Sequence, residues 1–138
     1  MNSARPFGIG IVGTGMIAAF HAKAIAAMAG AELVACCARR AEQVEAFAAE
    51  HGGAAYTDLA AFLAHPGLDA VAICTPSGAH LEPALAAAAA GKHVICEKPL
   101  EVTTARVDQM ISACREAGVM LAGIFPRRFN PSTALLKR

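Results

Sequence analysis

A series of short apolar runs, each answered by a segment of helical period, constrains this chain more than any other feature. The runs cover residues 9–12, 33–37, 54–56, 70–74, 93–96 and 119–124. Between them lie helix patterns over residues 16–28 (apolar face Ile17, Phe20, Ala24, Ile25, Met28), 41–51 (Val44, Phe47, Ala48) and 104–117 (Val107, Met110, Ile111, Cys114). A short helix capped by Asp58 ends at His65-Pro66-Gly67, and an alanine-rich helix is stopped by Gly91. Residues 70–74 are apolar throughout, as suits a strand covered on both faces. Strands alternating with helices at this spacing form a parallel sheet. The expected fold is therefore α/β: a Rossmann-type doubly wound parallel sheet in the order 3-2-1-4-5-6, with helices on both faces. Such a sheet binds ligands outside the carboxyl ends of its strands, at the switch between strands 1 and 4.

The strand ends carry the unusual residues. The first continues into Gly13-Thr14-Gly15-Met16-Ile17-Ala18. Gly13 allows a sharp turn, Gly15 lets phosphates approach, and Ala18 lets helix and strand pack closely. The helix N-terminus at Met16 and Ile17 offers unpaired N–H groups and a positive dipole end to a pyrophosphate. In a chain rich in alanine and glycine, this turn alone is a weak signal. It gains weight because residues 75–80 and 97–99 close strands 4 and 5, so that three polar stretches converge on one crevice. A secretory reading of the N-terminus (Arg5, an uncharged stretch, then Ala22-Lys23-Ala24) is set aside, because Gly8, Gly10, Gly13 and Gly15 break the helix such a segment forms.

Each stretch suggests a role. A carboxylate after strand 2 would bond a ribose 2′-hydroxyl, but this chain has Ala38, Arg39 and Arg40 there. Without that repulsion, and with guanidinium groups able to pair with a 2′-phosphate, NADP(H) is favoured over NAD(H). Thr75 and Pro76 would pack beside the nicotinamide ribose, with Ser77 as the cap of the following helix. His80 is expected to help position substrate. Lys98 is the catalytic candidate: beside a buried strand end, loss of water would favour its neutral form and let it exchange a substrate proton during hydride transfer. Glu97 could bond the nicotinamide ribose.

Composition narrows the partners. The net charge is +1, which gives no reason to expect nucleic acid or an anionic membrane surface. No apolar stretch has spanning length. Cys36, Cys37, Cys74, Cys96 and Cys114 form no C-x-x-C pair and fall inside strands and a helix. They are expected to be buried thiols of a cytoplasmic protein, not disulfides or metal ligands. All acidic residues lie within residues 1–116, whereas Arg127, Arg128, Lys137 and Arg138 follow with no acid among them.

With Glu97-Lys98-Pro99-Leu100 the chain resembles the N-terminal domain of the Gfo/Idh/MocA oxidoreductase family. The resemblance also rests on the glycine turn with His21, on Cys74-Thr75-Pro76-Ser77-Gly78-Ala79-His80 and on Arg127-Arg128-Phe129-Asn130-Pro131. It implies that Lys98 is the catalytic lysine, that Glu97, Thr75 and Pro76 contact the cofactor, and that Pro99 sits where the family often has a cis proline. Arg128 joins His80 as an expected substrate contact. Ser77 departs from the asparagine common there.

The resemblance further implies a second domain, absent from these residues, that completes the active site. Residues 1–125 would then be the NAD(P)-binding domain, and residues 126–138 the start of a linker or helix. The expected function is NAD(P)-dependent hydride transfer on a sugar, polyol or related hydroxy or carbonyl substrate, with little turnover by this half alone. The alternative is a non-catalytic dinucleotide-sensing or interaction module. Apolar surface left for a missing partner domain leaves self-association into a homo-oligomer open.

Overall fold

The computed structural model describes residues 5–136, so Lys137 and Arg138 of the basic tail lie outside the described residues. Six parallel strands form one sheet in the order β3-β2-β1-β4-β5-β6. They are β1 (Phe7–Val12), β2 (Ala31–Cys37), β3 (Ala54–Tyr56), β4 (Leu68–Ile73), β5 (His93–Cys96) and β6 (Leu121–Gly123). The helices are α1 (Met16–Ala26), α2 (Ala41–His51), α3 (Leu59–Leu63), α4 (Leu81–Ala89), α5 (Thr104–Glu116) and α6 (Pro131–Leu136), with a 3-10 turn over Pro126–Phe129 before α6. The expected fold and strand order are both present.

Successive strand residues face opposite sides of a sheet, and the pleat sorts the core into two layers. Ile9, Ile11, Cys36, Ala72 and Cys74 meet Ala18, Ala22 and Ile25 of α1 and Val44 and Phe47 of α2. Val12, Ala35, Cys37, Val71, Ile73, Val94 and Cys96 meet Phe62 and Leu63 of α3, Ala84 and Ala87 of α4, and Met110 and Cys114 of α5. Small residues set the closest approaches. A Cβ on Gly10 would stand 2.5 Å from the Phe62 ring and 2.7 Å from Leu68, so α3 seats on β1 only because Gly10 has no side chain. Ala18, fully buried, plays the same part between α1 and the sheet.

The first layer is thinner over β5 and β6. There an apolar cleft of about 570 Å³ opens between α1 (Ile17, Phe20, Ile25) and the sheet (Ile95, with Ile124 just past β6).

Local chemistry explains where the expected limits moved. Asp58 caps α3 as anticipated, its carboxylate accepting from Ala61 N–H at 2.7 Å. Helix α1 stops at Ala26 because its last turn tightens, Met28 N–H bonding to Ile25 O at 3.0 Å. The β6 edge strand is shorter than its apolar run because only Val94, Ile95 and Cys96 pair with it. Ser77 does not cap α4, which begins four residues later at Leu81. The cap is the buried Glu101 carboxylate, which accepts from Leu81 N–H at 3.0 Å.

Candidate active site

Strand register assembles the site. Val12 lies beside Cys37 on one side and Ile73 on the other, and Ile73 lies beside Cys96. The residues after these strand ends, Gly13, Ala38, Cys74 and Glu97, therefore stand in a row along one edge. Backbone bonds latch them there: Gly13 N–H to Cys37 O at 2.9 Å, Cys74 N–H to Val12 O at 2.8 Å, and Glu97 N–H to Ile73 O at 3.1 Å.

The glycine turn fits a dinucleotide. Gly13 has φ +86°, and a Cβ there would press on the Cys74 carbonyl carbon and Thr75 nitrogen at 2.8 Å. Gly15 has an ordinary extended backbone, and a Cβ on it would meet nothing within 4 Å. It borders open space at the N-terminus of α1, where no side chain caps the first turn. The N–H groups of Met16 and Ile17 belong to that turn, and Thr14 Oγ1 is buried with no hydrogen-bond partner. Free donors, a positive dipole end and room beside them are what a pyrophosphate requires.

Ala38, Arg39 and Arg40 open the far side of this edge, with both arginines exposed. Arg40 Nη2 lies 3.5 Å from Gln43 Oε1, and Gln43 Nε2 lies 3.5 Å from Thr14 O. Gln43, on the first turn of α2, thus borders the glycine turn. Nothing in its local sequence marks it out.

Thr75, Pro76 and His80 lie on the loop after β4. Thr75 Oγ1–H donates to Ala79 O at 2.9 Å, folding the loop on itself. His80 departs from expectation. It is 1% exposed, with Nε2 at 2.9 Å from Thr75 O and Nδ1 at 2.9 Å from Pro99 O and 3.2 Å from Leu100 O. No ring nitrogen remains for a substrate, and His80 instead ties the β4 loop to the segment after β5.

That segment carries Lys98, joined to Pro99 by a cis peptide bond. Lys98 is exposed, so the dry setting expected for it falls on its neighbour Glu97, which is 5% exposed. Both Glu97 oxygens are engaged inside the protein. Oε1 accepts from His21 Nε2–H at 2.8 Å, and Oε2 accepts from Lys98 N–H at 3.1 Å. Lys98 shares a hollow of about 450 Å³ with Pro99, Phe125, Pro126 and Arg127. Arg127 lines this hollow with Lys98; Arg128, expected as a substrate contact, is exposed like Arg127 and is not among the residues lining the hollow.

Glu101 and Arg106 brace the crevice from below. The Arg106 guanidinium reaches Glu101 at 3.2 Å, Glu82 at 3.0 Å and Gly78 O at 3.4 Å. Burial works against the charge on Glu101, but N–H groups of Val102 and Leu81 and the Arg106 guanidinium hold its carboxyl below the ordinary range.

Residues 7–125 match the Gfo/Idh/MocA model, described as an oxidoreductase family with an NAD-binding Rossmann fold. The chain belongs to that family. Myo-inositol 2-dehydrogenase from Thermotoga maritima is 36% identical over 94% of this chain and 39% of its own length. Scyllo-inositol 2-dehydrogenase (NADP(+)) IolU from Bacillus subtilis is 36% identical over 93% of this chain and 39% of its own length. Among solved structures, the WlbA dehydrogenase from Bordetella pertussis in complex with NADH and UDP-GlcNAcA is 37% identical, with a TM-score of 0.92. That match covers 96% of this chain and 41% of the WlbA chain. The present chain thus spans about 40% of the length of these Gfo/Idh/MocA relatives. One relative names NADP(+) and another structure holds NADH, so both cofactors occur among the proteins it resembles.

Proposed function

We propose that this chain is the nucleotide-binding half of an oxidoreductase that moves hydride between NADP(H) and a sugar, polyol or related hydroxy or carbonyl substrate. The observation that carries the reading is the strand-end register. It sets the uncapped N-terminus of α1 and Lys98 on the same edge of one sheet, with β4 between them. On this reading residues 1–125 form the nucleotide-binding unit, and residues 126–138 begin the connection to the rest of the enzyme.

The N–H groups of Met16 and Ile17 receive the pyrophosphate, and Thr75 and Pro76 border the nicotinamide half. A bound nicotinamide supplies or accepts the hydride. Lys98 takes the proton of the substrate hydroxyl in oxidation and returns it in reduction. Arg127, in the same hollow, faces the substrate side. Arg39 and Arg40, with no carboxylate beside them at the end of β2, favour a 2′-phosphate and hence NADP(H). Five buried, unpaired thiols support a reducing, cytoplasmic setting.

Titrating the chain with NADPH and NADH, followed by nicotinamide fluorescence, tests the cofactor. The expected result is tighter binding of NADPH, with the preference lost in the Arg39→Ala, Arg40→Ala double variant. Equal NADPH affinity in parent and double variant refutes the preference. Turnover of polyols by the 138-residue chain is expected to be slight, because Lys98 lies in an open hollow.

A further inference from the structure

We propose that His21 is a positioning residue that couples the nucleotide-binding end of α1 to Lys98. The proposal rests on the dinucleotide-site reading above. Two consecutive hydrogen bonds carry it. His21 projects from the second turn of α1, and its Nε2–H meets Glu97 Oε1 at 2.8 Å; the other oxygen of the same carboxylate holds the Lys98 amide at 3.1 Å. A short polar path therefore runs from the helix that faces the phosphates to the backbone of the catalytic candidate.

The surroundings make this path stiff. Glu97 is anchored from behind by its own N–H on Ile73 O at 3.1 Å. The two side chains, 15% and 7% exposed, form the polar floor of the apolar cleft walled by Ile17, Phe20, Ile25, Ile95 and Ile124. Water competes poorly for hydrogen bonds in such a place, so each is stronger than a surface bond. On its other side Lys98 is followed by Pro99, whose carbonyl is held by His80. The lysine thus has a free side chain on a backbone clamped at both ends, and only the His21 clamp leads to the nucleotide helix.

A brace serving stability alone would leave Lys98 indifferent to events at the glycine turn. ADP separates the two cases, because it carries phosphates for the N-terminus of α1 but no nicotinamide to touch Lys98 directly. Amide chemical shifts of the full chain are followed during titration with ADP. In the parent, the Lys98 amide is expected to move and to saturate together with the amides of Gly15 and Ile17. In His21→Gln, whose side-chain amide keeps a donor, the Lys98 response is retained. In His21→Leu it is lost, while the Gly15 and Ile17 responses remain. If His21→Leu does not fold, the double variant His21→Leu, Glu97→Leu removes the stranded buried charge as well and is expected to show the same loss.

A Lys98 response that persists in either leucine variant overturns the proposal, as does a parent in which Lys98 never moves although Gly15 and Ile17 do. If neither ADP nor NADPH moves Gly15 and Ile17, the dinucleotide-site reading itself fails, and the two failures are told apart.

Discussion

Two glycines of one turn do different work, and substitution separates them. At Gly13 a methyl group would both collide with the Cys74 carbonyl and face a left-handed backbone, whereas at Gly15 it would project into open space. Gly13→Ala is expected to lower unfolding stability by about 1–3 kcal/mol. Gly15→Ala is expected to cost the fold clearly less, while weakening dinucleotide binding, because the methyl occupies the approach to the helix N-terminus. Denaturant midpoints and NADPH titrations on both variants check this; equal stability losses would contradict it.

A second residue-scale effect lies at the opposite end of the sheet. The Arg5 guanidinium, bonded through both of its Nη atoms at 2.7 Å, brings the Asp69 carboxyl down to about 2. An unfolded aspartate titrates near about 3.9. Asp69 therefore contributes stability that is complete above that value and disappears as pH falls through about 2. Asp69→Asn should be less stable than the parent at neutral pH, with the gap closing as the medium is acidified. Urea midpoints at neutral and acid pH read this directly, and a gap that widens in acid would refute it. The packing roles of Gly13 and Ala18 were legible in the sequence because backbone room is a property of the residue itself. The hydrogen-bond partners of Glu97 and His80 were not legible, since which way a carboxylate or imidazole turns depends on groups far along the chain, His21 for one and Pro99 for the other.

At the scale of elements, α4 shows where local sequence stops being informative. Thr75 to His80 contains a serine at a plausible capping distance, yet the loop closes on itself through Thr75 and Ala79, and the helix waits until Leu81. Its first N–H is satisfied by Glu101, twenty residues downstream, which also accepts from Val102 N–H at 2.8 Å and pairs with Arg106. Glu101→Ala leaves a buried N–H without a partner, with an expected cost of about 1–3 kcal/mol. Ser77→Ala is expected to stay within about 0.5 kcal/mol of the parent. Thermal unfolding of the two variants ranks them, and a larger loss for Ser77→Ala would restore it as the cap. By contrast Asp58 and Thr103 each cap the helix that follows them directly, with bonds of 2.7 and 3.3 Å. The cap drawn from the adjoining Asp58 was readable; one supplied from twenty residues downstream was not. The strands were readable because apolar runs bounded by turns leave few alternatives, and only their limits, at either end, shifted with pairing.

Across the whole molecule the two-layer core governs chemistry as well as shape. All five cysteines are buried and unpaired. Burial pushes the Cys36 thiol up to about 11 and the Cys74 and Cys96 thiols up to about 12, with Cys37 and Cys114 raised as well. Thiolates are the reactive form, so the folded chain should resist a thiol-specific disulfide reagent at about pH 8, and all five thiols should titrate once denaturant is added. Rapid labelling of the native chain would contradict the burial. The overall order of strands was legible in advance, since parallel strands joined by right-handed crossovers admit few arrangements.

That order also bears on how the chain comes into being. Of the six strands β1 is made first, yet it ends between β2 and β4. One side of it can pair as soon as Ala31–Cys37 has left the ribosome, while the other must wait until Leu68–Ile73 has followed. During that interval a strand destined for the middle of the sheet exposes an open row of amides and carbonyls, the kind of edge on which nascent chains stick to one another and chaperones act.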